Sequence, residues 1–130
     1  MKMERAELEA RAAAFAKAAF HLSQSVRTRP GGRNPADQLA DSASSVSSNY
    51  RATSRSRSPD EFAAKIGVVA EEADEAVGWL EFMIDTKLVE ATTVKEVLAE
   101  GKELRNIFAA SYKTANRNKR ARRRDSPRDQ

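Results

Sequence analysis

The chain has 130 residues, of which 23 are Lys or Arg and 19 are Asp or Glu, and it contains no cysteine. This length indicates one domain with a modest core, and the lack of cysteine excludes disulfides, thiolate metal sites and cysteine nucleophiles. No apolar run approaches the roughly 18 residues of a membrane-spanning helix, and the N-terminus (M-K-M-E-R-A-E-L-E) carries acids where a secretory signal would be apolar. We therefore expect a cytoplasmic protein without a membrane segment.

The charge is divided unevenly along the chain. Residues 113–130 contain eight Lys or Arg and two Asp, a net charge of +6, whereas residues 1–112 contain fifteen bases and seventeen acids, a net charge of −2. Alanine is abundant and aromatic residues are few, a composition that favours helix over sheet. The sequence predicts a helical domain over residues 1–115, followed by a basic tail over residues 116–130.

Apolar residues in the first part of the chain predict two helices, over residues 3–26 and 35–53. They recur at spacings of four and three residues, which marks one face of a helix. The first seam is Leu8, Ala12, Phe15, Ala19, Leu22 and Val26, and the second is Leu39, Ala43, Val46 and Tyr50. Asn34 stands before Pro35 and so predicts the N-cap of the second helix.

The third predicted helix, over residues 59–87, begins at the capping box Ser58-Pro59-Asp60-Glu61. The Ser58 hydroxyl can accept from the Glu61 amide, and the Glu61 side chain can reach back to the Ser58 amide. A second apolar stripe beside the main seam indicates more than one packing partner. Trp79 and Phe82 fall outside the main seam, so they either cap the bundle or form a patch between subunits. The predicted oligomer interface consists of Val77, Trp79, Phe82 and Ile84.

The fourth predicted helix covers residues 93–115 and starts at the capping box Thr93-Val94-Lys95-Glu96. Gly101 inside it costs up to about 1 kcal/mol relative to alanine, which predicts the close approach of another backbone. The apolar pattern fades after Lys113. Residues 116–130 contain no apolar side chain larger than that of Ala121, so we expect disorder or a frayed helix there.

Two groups of basic residues are candidates for binding nucleic acid. The tail is an electrostatic handle for phosphates, and its candidates are Arg117, Lys119, Arg120, Arg122, Arg123 and Arg124. At the corner before residue 59, arginines meet a helix N-terminus; these are Arg51, Arg55 and Arg57. The alternatives are a solubilising tail and arginines paired with acids of a neighbouring helix or subunit. The basic segments lack aromatic residues for base stacking, so binding should be directed at the backbone and sensitive to salt.

The sequence offers no enzyme. It has no Gly-rich phosphate loop, nucleophile elbow, His-based triad or zinc-ligand spacing, and its one histidine, His21, is interpreted as a surface or boundary residue. A group of acidic residues on the third helix is a candidate metal or catalytic site: Glu71, Glu72, Asp74, Glu75 and Glu81. Di-iron bundles supply Glu-x-x-His pairs, which are missing here, so a solvated or salt-bridged face is favoured. We predict no cofactor, no metal and no small-molecule substrate.

Several motifs between residues 38 and 81 together resemble a known family. They are Q-L (38–39), S-A-S-S-V-S-S-N-Y-R-A (42–52), R-x-R-S-x-x-E-F-x-x-K-I-G (55–67), E-E-A-D-E (71–75) and W-L-E (79–81). The sequence resembles the small bacterial "four helix bundle protein" family, which includes proteins encoded within intervening sequences of large-subunit ribosomal RNA genes. Weaker similarity around Arg11, Phe15 and Lys113-Thr114 extends the resemblance over most of residues 5–118.

The resemblance implies an all-α, antiparallel up-down-up-down four-helix bundle that assembles as a homopentameric ring. It implies no catalytic activity. Similar proteins are accessory subunits of diversity-generating retroelements, where they engage reverse transcriptase and RNA. In this family the third helix often ends in Gly-Leu-Val or Gly-Tyr-Ile, and here Lys87 replaces that glycine. Four segments with one shared spacing predict the same bundle independently.

Two hypotheses for function remain open. The first is a non-enzymatic oligomeric bundle that binds RNA, DNA or a ribonucleoprotein through its basic residues. The second is a scaffold that holds a protein partner, such as a reverse transcriptase, with no role for nucleic acid.

Overall fold

The computed structural model describes residues 3–125, which form a bundle of four helices. These are α1 (Arg5–Arg27), α2 (Arg33–Ala52), α3 (Pro59–Asp85) and α4 (Lys95–Arg124), with a short 3₁₀ turn at Thr53–Arg55 after α2. No strand occurs between residues 3 and 125, so the predicted all-α class is confirmed. None of the helices in this part of the chain is long and apolar enough to cross a membrane.

Contacts between helix ends show that successive helices run antiparallel. The Arg5 guanidinium, at the start of α1, donates to the Tyr50 carbonyl and the Thr53 hydroxyl at the end of α2, both at 2.9 Å. Arg122, near the end of α4, pairs with Asp60 at the start of α3. Each helix packs along its successor, whereas α1 and α4 touch only sparsely. The chain therefore has the predicted up-down-up-down order, with one loosely closed side.

The core follows the predicted seams closely. The largest fully buried side chains come from all four helices and from the residue before α4; they include Phe108, Leu39, Ile66, Leu80, Met83, Leu104, Val26 and Val94. Small side chains separate them, because Ala12, Ala19, Ala36 and Ala43 are all 0% exposed. Small residues at these positions let neighbouring helices approach closely.

The helix starts agree only in part with the predicted caps. Ser58 caps α3, since its Oγ accepts from the Glu61 amide at 3.0 Å, but the Glu61 carboxylate pairs with Arg57 and Lys65 rather than with the Ser58 amide. The cap predicted for α4 was wrong: Val94 occupies the N-cap position with no side-chain hydrogen bond. Val94 is fully buried, so tertiary packing rather than a threonine cap decides where α4 begins.

The α2 start was also predicted incorrectly. The helix begins at Arg33 with Gly32 at the N-cap position, and the Ala36 amide donates to the Gly32 carbonyl at 3.0 Å. A Cβ on Gly32 would lie 2.1 Å from the Val26 carbonyl oxygen. Only glycine fits this turn, and the tight turn lets α2 start before the Asn34-Pro35 signal.

The predicted tail is largely part of α4. Residues 116–124 continue the helix to Arg124, so of the two expected alternatives, disorder or a frayed helix, the structure shows a helix in this segment; residues 126–130 lie outside the described part of the chain. Phe62 of α3 and Ala115 of α4 both pack against the core, and two turns further along α4 Arg122 pairs with Asp60. The neighbouring helix therefore supplies contacts that the sequence of the tail alone does not reveal.

Gly101 is explained by side chains rather than by the predicted close backbone. A Cβ at this position would lie 3.0 Å from Cε1 of Phe15 on α1 and 3.3 Å from Cγ2 of Val77 on α3. Phe15 and Val77 are themselves buried. Gly101 is thus the point where α1, α3 and α4 meet.

Lys87 holds the backbone conformation that glycine would adopt. Its φ is +62°, and the Leu88 amide donates to the Met83 carbonyl at 2.9 Å, as in a helix end closed by a left-handed residue. An L-residue in this conformation costs about 1–2 kcal/mol. The left-handed turn therefore forms with lysine at the position where the resemblance implies a glycine.

The glycines of α3 and α4 give a matched test of packing. We expect Gly78→Ala to raise the free energy of unfolding by up to about 1 kcal/mol, because Gly78 is helical and has nothing within 4 Å of its Cβ position. Gly101→Ala should lower it, because overpacking costs about 1–3 kcal/mol and exceeds the gain in helix propensity. Urea unfolding of both variants measures this. Equal stabilisation by the two substitutions would contradict the assigned packing.

The strained helix end gives a second test. Lys87→Gly should raise the free energy of unfolding by up to about 1 kcal/mol, because relief of the left-handed backbone exceeds the greater flexibility of unfolded glycine. Lys87→Ala removes the same charge but keeps the Cβ, so it should give no such gain. Thermal unfolding monitored by circular dichroism compares them, and an equal gain from both would assign the effect to charge instead.

Candidate nucleic-acid interface

The last turns of α4 extend beyond the start of α1. Arg5 lies over the Tyr50 ring at 4.6 Å, and Tyr50 packs against Phe108 with ring centroids 5.1 Å apart. The start of α1 is therefore level with Phe108. The remaining residues 109–124 of α4 add about 24 Å at 1.5 Å per residue, alongside the first turns of α3.

This extension is strongly basic. Between residues 113 and 124 the chain has seven Lys or Arg and no Asp or Glu. Arg117, Arg120, Arg123 and Arg124 are exposed. Within residues 3–125, these four make no ion pair, and Arg122 alone of the predicted tail cations does. Helical geometry fixes the spacing of these charges, so residues 116–124 of the predicted tail form an ordered array.

Asp60 lies between the two predicted groups of basic residues, the tail and the corner before α3. Nη2 of Arg122 donates to Oδ1 of Asp60 at 2.8 Å. This hydrogen bond is the main reason that the pKa of Asp60 is lowered, and the charges of Arg122, Lys119 and Arg123 add to it. Asp60 is in the first turn of α3, next to the corner. The sequence analysis did not predict the contact between Arg122 and Asp60, although antiparallel packing places the end of α4 beside the start of α3.

The corner arginines are all exposed, and one of them has an acidic partner. Nε of Arg57 lies 3.2 Å from Oε2 of Glu61. The pKa of Glu61 is lowered, first by Lys65 and then by Arg57. Within the described residues, Arg51 and Arg55 form no ion pair. Arg57 is therefore paired with an acid, whereas Arg51 and Arg55 have no acidic partner within residues 3–125.

The four residues predicted as an oligomer interface do not share one surface. Val77 is 1% exposed. It is buried inside the bundle and is therefore not part of an outer interface. Trp79 and Phe82 form an edge-to-face pair with centroids 5.5 Å apart, and Phe82 is 44% exposed. Ile84 is half-buried on another side of α3, where it lines a shallow cleft beside α4. Only Trp79 and Phe82 form a common outward patch.

The acidic group on α3 is a salt-bridged face in part. Asp74 lies 4.0 Å from Arg105, and Glu81 lies 3.9 Å from Lys102, both on α4. Burial raises the pKa of Glu72, and neighbouring acids raise it further. Across residues 3–125, no group of His, Asp or Glu side chains could hold a metal ion. His21 is exposed and contacts the Phe20 ring.

One aromatic side chain at the basic extension was missed from the sequence. Tyr112 is 41% exposed and lines a cleft with Lys113, Asn116, Arg117 and Arg120. The basic segments themselves contain no aromatic residue, because Tyr112 precedes them. On a helix, however, residues 112, 116 and 120 lie on one face. This four-residue spacing could have shown that Tyr112 lies beside the basic residues.

Comparisons with known proteins support the fold and the family. A crystal structure at 1.70 Å of a protein with unknown function from the S23 ribosomal protein family of Bacteroides thetaiotaomicron superposes with a TM-score of 0.76. The two sequences are 20% identical, and the match covers 82% of this chain and 98% of that chain. At this identity the similarity shows the fold alone. No curated protein matches the sequence.

The sequence profile of the 23S rRNA-intervening sequence protein matches residues 4–110. This range includes α1, α2, α3 and the first half of α4, and it ends just before the basic extension. The match spans most of the chain and agrees with the resemblance carried by the motifs of residues 38–81. The chain belongs to the 23S rRNA-intervening sequence protein family.

Proposed function

We propose that this protein is a non-enzymatic helical bundle of the bacterial cytoplasm that binds RNA through its basic end. The observation that carries the proposal is the ordered array on α4, with seven cations and no acid between residues 113 and 124. Arg51 and Arg55 add cations where α2 meets α3. Cations fixed at helical spacing attract a phosphate backbone without reading its sequence.

Self-association belongs to the same proposal. Phe82 is 44% exposed and packs edge-to-face on Trp79, and large exposed aromatic side chains of this kind are typical of protein interfaces. We infer a homo-oligomer, with the homopentamer implied by the family resemblance as its expected form. Several basic ends in one assembly would strengthen a weak attraction for phosphates by avidity.

The second candidate function is a scaffold for a protein partner, such as a reverse transcriptase. The Trp79–Phe82 pair also favours this alternative, because it offers an apolar surface independent of the basic end. The two candidates differ in one property. RNA binding through phosphates depends steeply on salt, whereas an apolar protein contact depends on it weakly.

The first test measures RNA affinity across a salt series. If six phosphates are neutralised, the slope of log affinity against log salt should be roughly −4 to −5, and affinity should fall about a thousandfold between 50 and 200 mM salt. The triple variant Arg117→Gln, Arg120→Gln and Arg124→Gln should make the slope shallower by about 2 to 3. Parallel measurements with duplex DNA give the preference for RNA.

The control variant carries three glutamines at the opposite end of the bundle, in Arg33→Gln, Lys87→Gln and Lys95→Gln. It loses the same number of charges and should keep the slope of the unmodified protein. Circular dichroism checks that both triple variants keep their helix content. Weak and shallow binding by the unmodified protein would overturn the proposal and favour the scaffold.

A second test uses the Asp60–Arg122 ion pair. Asp60→Asn releases Arg122 and removes a negative charge beside the array, so RNA affinity should rise and the salt slope should steepen by about 1. Asp74→Asn is the control, because Asp74 pairs with Arg105 outside the basic extension. Weaker RNA binding by Asp60→Asn would mean that the ion pair is needed to position α4, and it would contradict this arrangement.

A further inference from the structure

The Tyr112 ring is seated on a glycine of the neighbouring helix. A Cβ at Gly67 of α3 would lie 2.8 Å from Cε1 and 3.0 Å from Cδ1 of Tyr112. The absence of a side chain at Gly67 therefore leaves the space that one part of the ring occupies. The rest of the side chain remains open, since Tyr112 is 41% exposed. The ring is thus both supported by α3 and accessible from solvent.

The cleft beside the ring combines a small apolar floor with polar and cationic walls. Ala70 and Ala109 line it together with Tyr112, and its volume is about 500 Å³. This is within the range of roughly 300–1,000 Å³ that small-molecule sites occupy. The polar lining residues are Lys113, Asn116, Arg117 and Arg120. No acidic side chain lines the cleft.

We propose that this cleft binds one unpaired nucleotide of a single-stranded RNA segment, with the base stacked on Tyr112 and the flanking phosphates on Lys113, Arg117 and Arg120. The inference rests on the proposed RNA binding and adds to it the kind of RNA that is preferred. Every base has an aromatic face, so stacking of this kind is tolerant of sequence. The Asn116 amide can both donate to and accept from a base edge.

Charge and ring access together favour an unpaired base over a duplex. A paired base keeps its faces covered by its neighbours, and only loops, bulges and ends can place a base on a protein ring. Three cations around one aromatic side chain match the alternation of base and phosphate along a single strand. A duplex would still meet the cations of α4, but it would leave the Tyr112 ring unused.

The test compares a short single-stranded RNA without self-complementarity and a perfect RNA duplex of the same length. Removing a stacking partner weakens binding by about 5- to 150-fold per base. Tyr112→Leu should therefore weaken the single strand to this extent and leave the duplex unchanged. Leucine keeps an apolar contact with Gly67, so the helix packing should persist, and thermal unfolding checks this. Tyr112→Phe retains the ring and should bind both RNAs as the unmodified protein does.

Three other outcomes would contradict the stacking site, and one of them would also contradict the proposed RNA binding. Steep salt dependence with an equal effect of Tyr112→Leu on both RNAs, or no effect on either, would overturn the stacking site and leave the proposed RNA binding intact. No salt-sensitive binding of either RNA by the unmodified protein would overturn both proposals. A loss with Tyr112→Phe as large as that with Tyr112→Leu would assign the contact to the hydroxyl group rather than to stacking.

Discussion

The packing of the last turns of α4 on the first turns of α3 is the contact on which the candidate site depends. Six pairs of cations stand three or four residues apart between residues 113 and 124, and each like-charge pair destabilises a helix by about 0.2–0.5 kcal/mol. The total cost of about 1–3 kcal/mol is offset by the packing of Phe62 and Ala115 on the core and by favourable placement of cations at a helix C-terminus. An anion bound along this segment would remove the repulsion, so binding and helix stability are linked there.

The rest of the bundle holds this extension in place without contributing chemistry. Gly101 allows α4 to lie close to Phe15 and Val77. Arg11 of α1 forms ion pairs with Glu100 and Glu103 of α4, which connect these two sparsely packed helices. Both contacts are at least two turns from the basic residues. The first half of α4 is therefore fixed by the core, and its second half lies against the first turns of α3.

The family match and the basic extension concern different parts of the chain. The profile ends at residue 110, whereas the cations on α4 begin at Lys113. The matched range contains most of the bundle, and the array lies beyond it on the same helix. A helix can continue past its bundle in this way because it needs no new core, only an existing neighbour to lie against.

The sequence by itself determined the four helices, their order, most of the buried seams and the start of α3, because these follow from apolar spacing and from hydrogen bonds within a few residues. Only the tertiary structure decided which surfaces meet. It buried Val94 and so moved the start of α4, held Lys87 in a left-handed turn, and brought Asp60 to Arg122. It also buried Val77 while leaving Phe82 exposed beside the half-buried Trp79, and set Tyr112 on Gly67. Each of these depends on a neighbour distant in sequence, and local patterns carry no information about it.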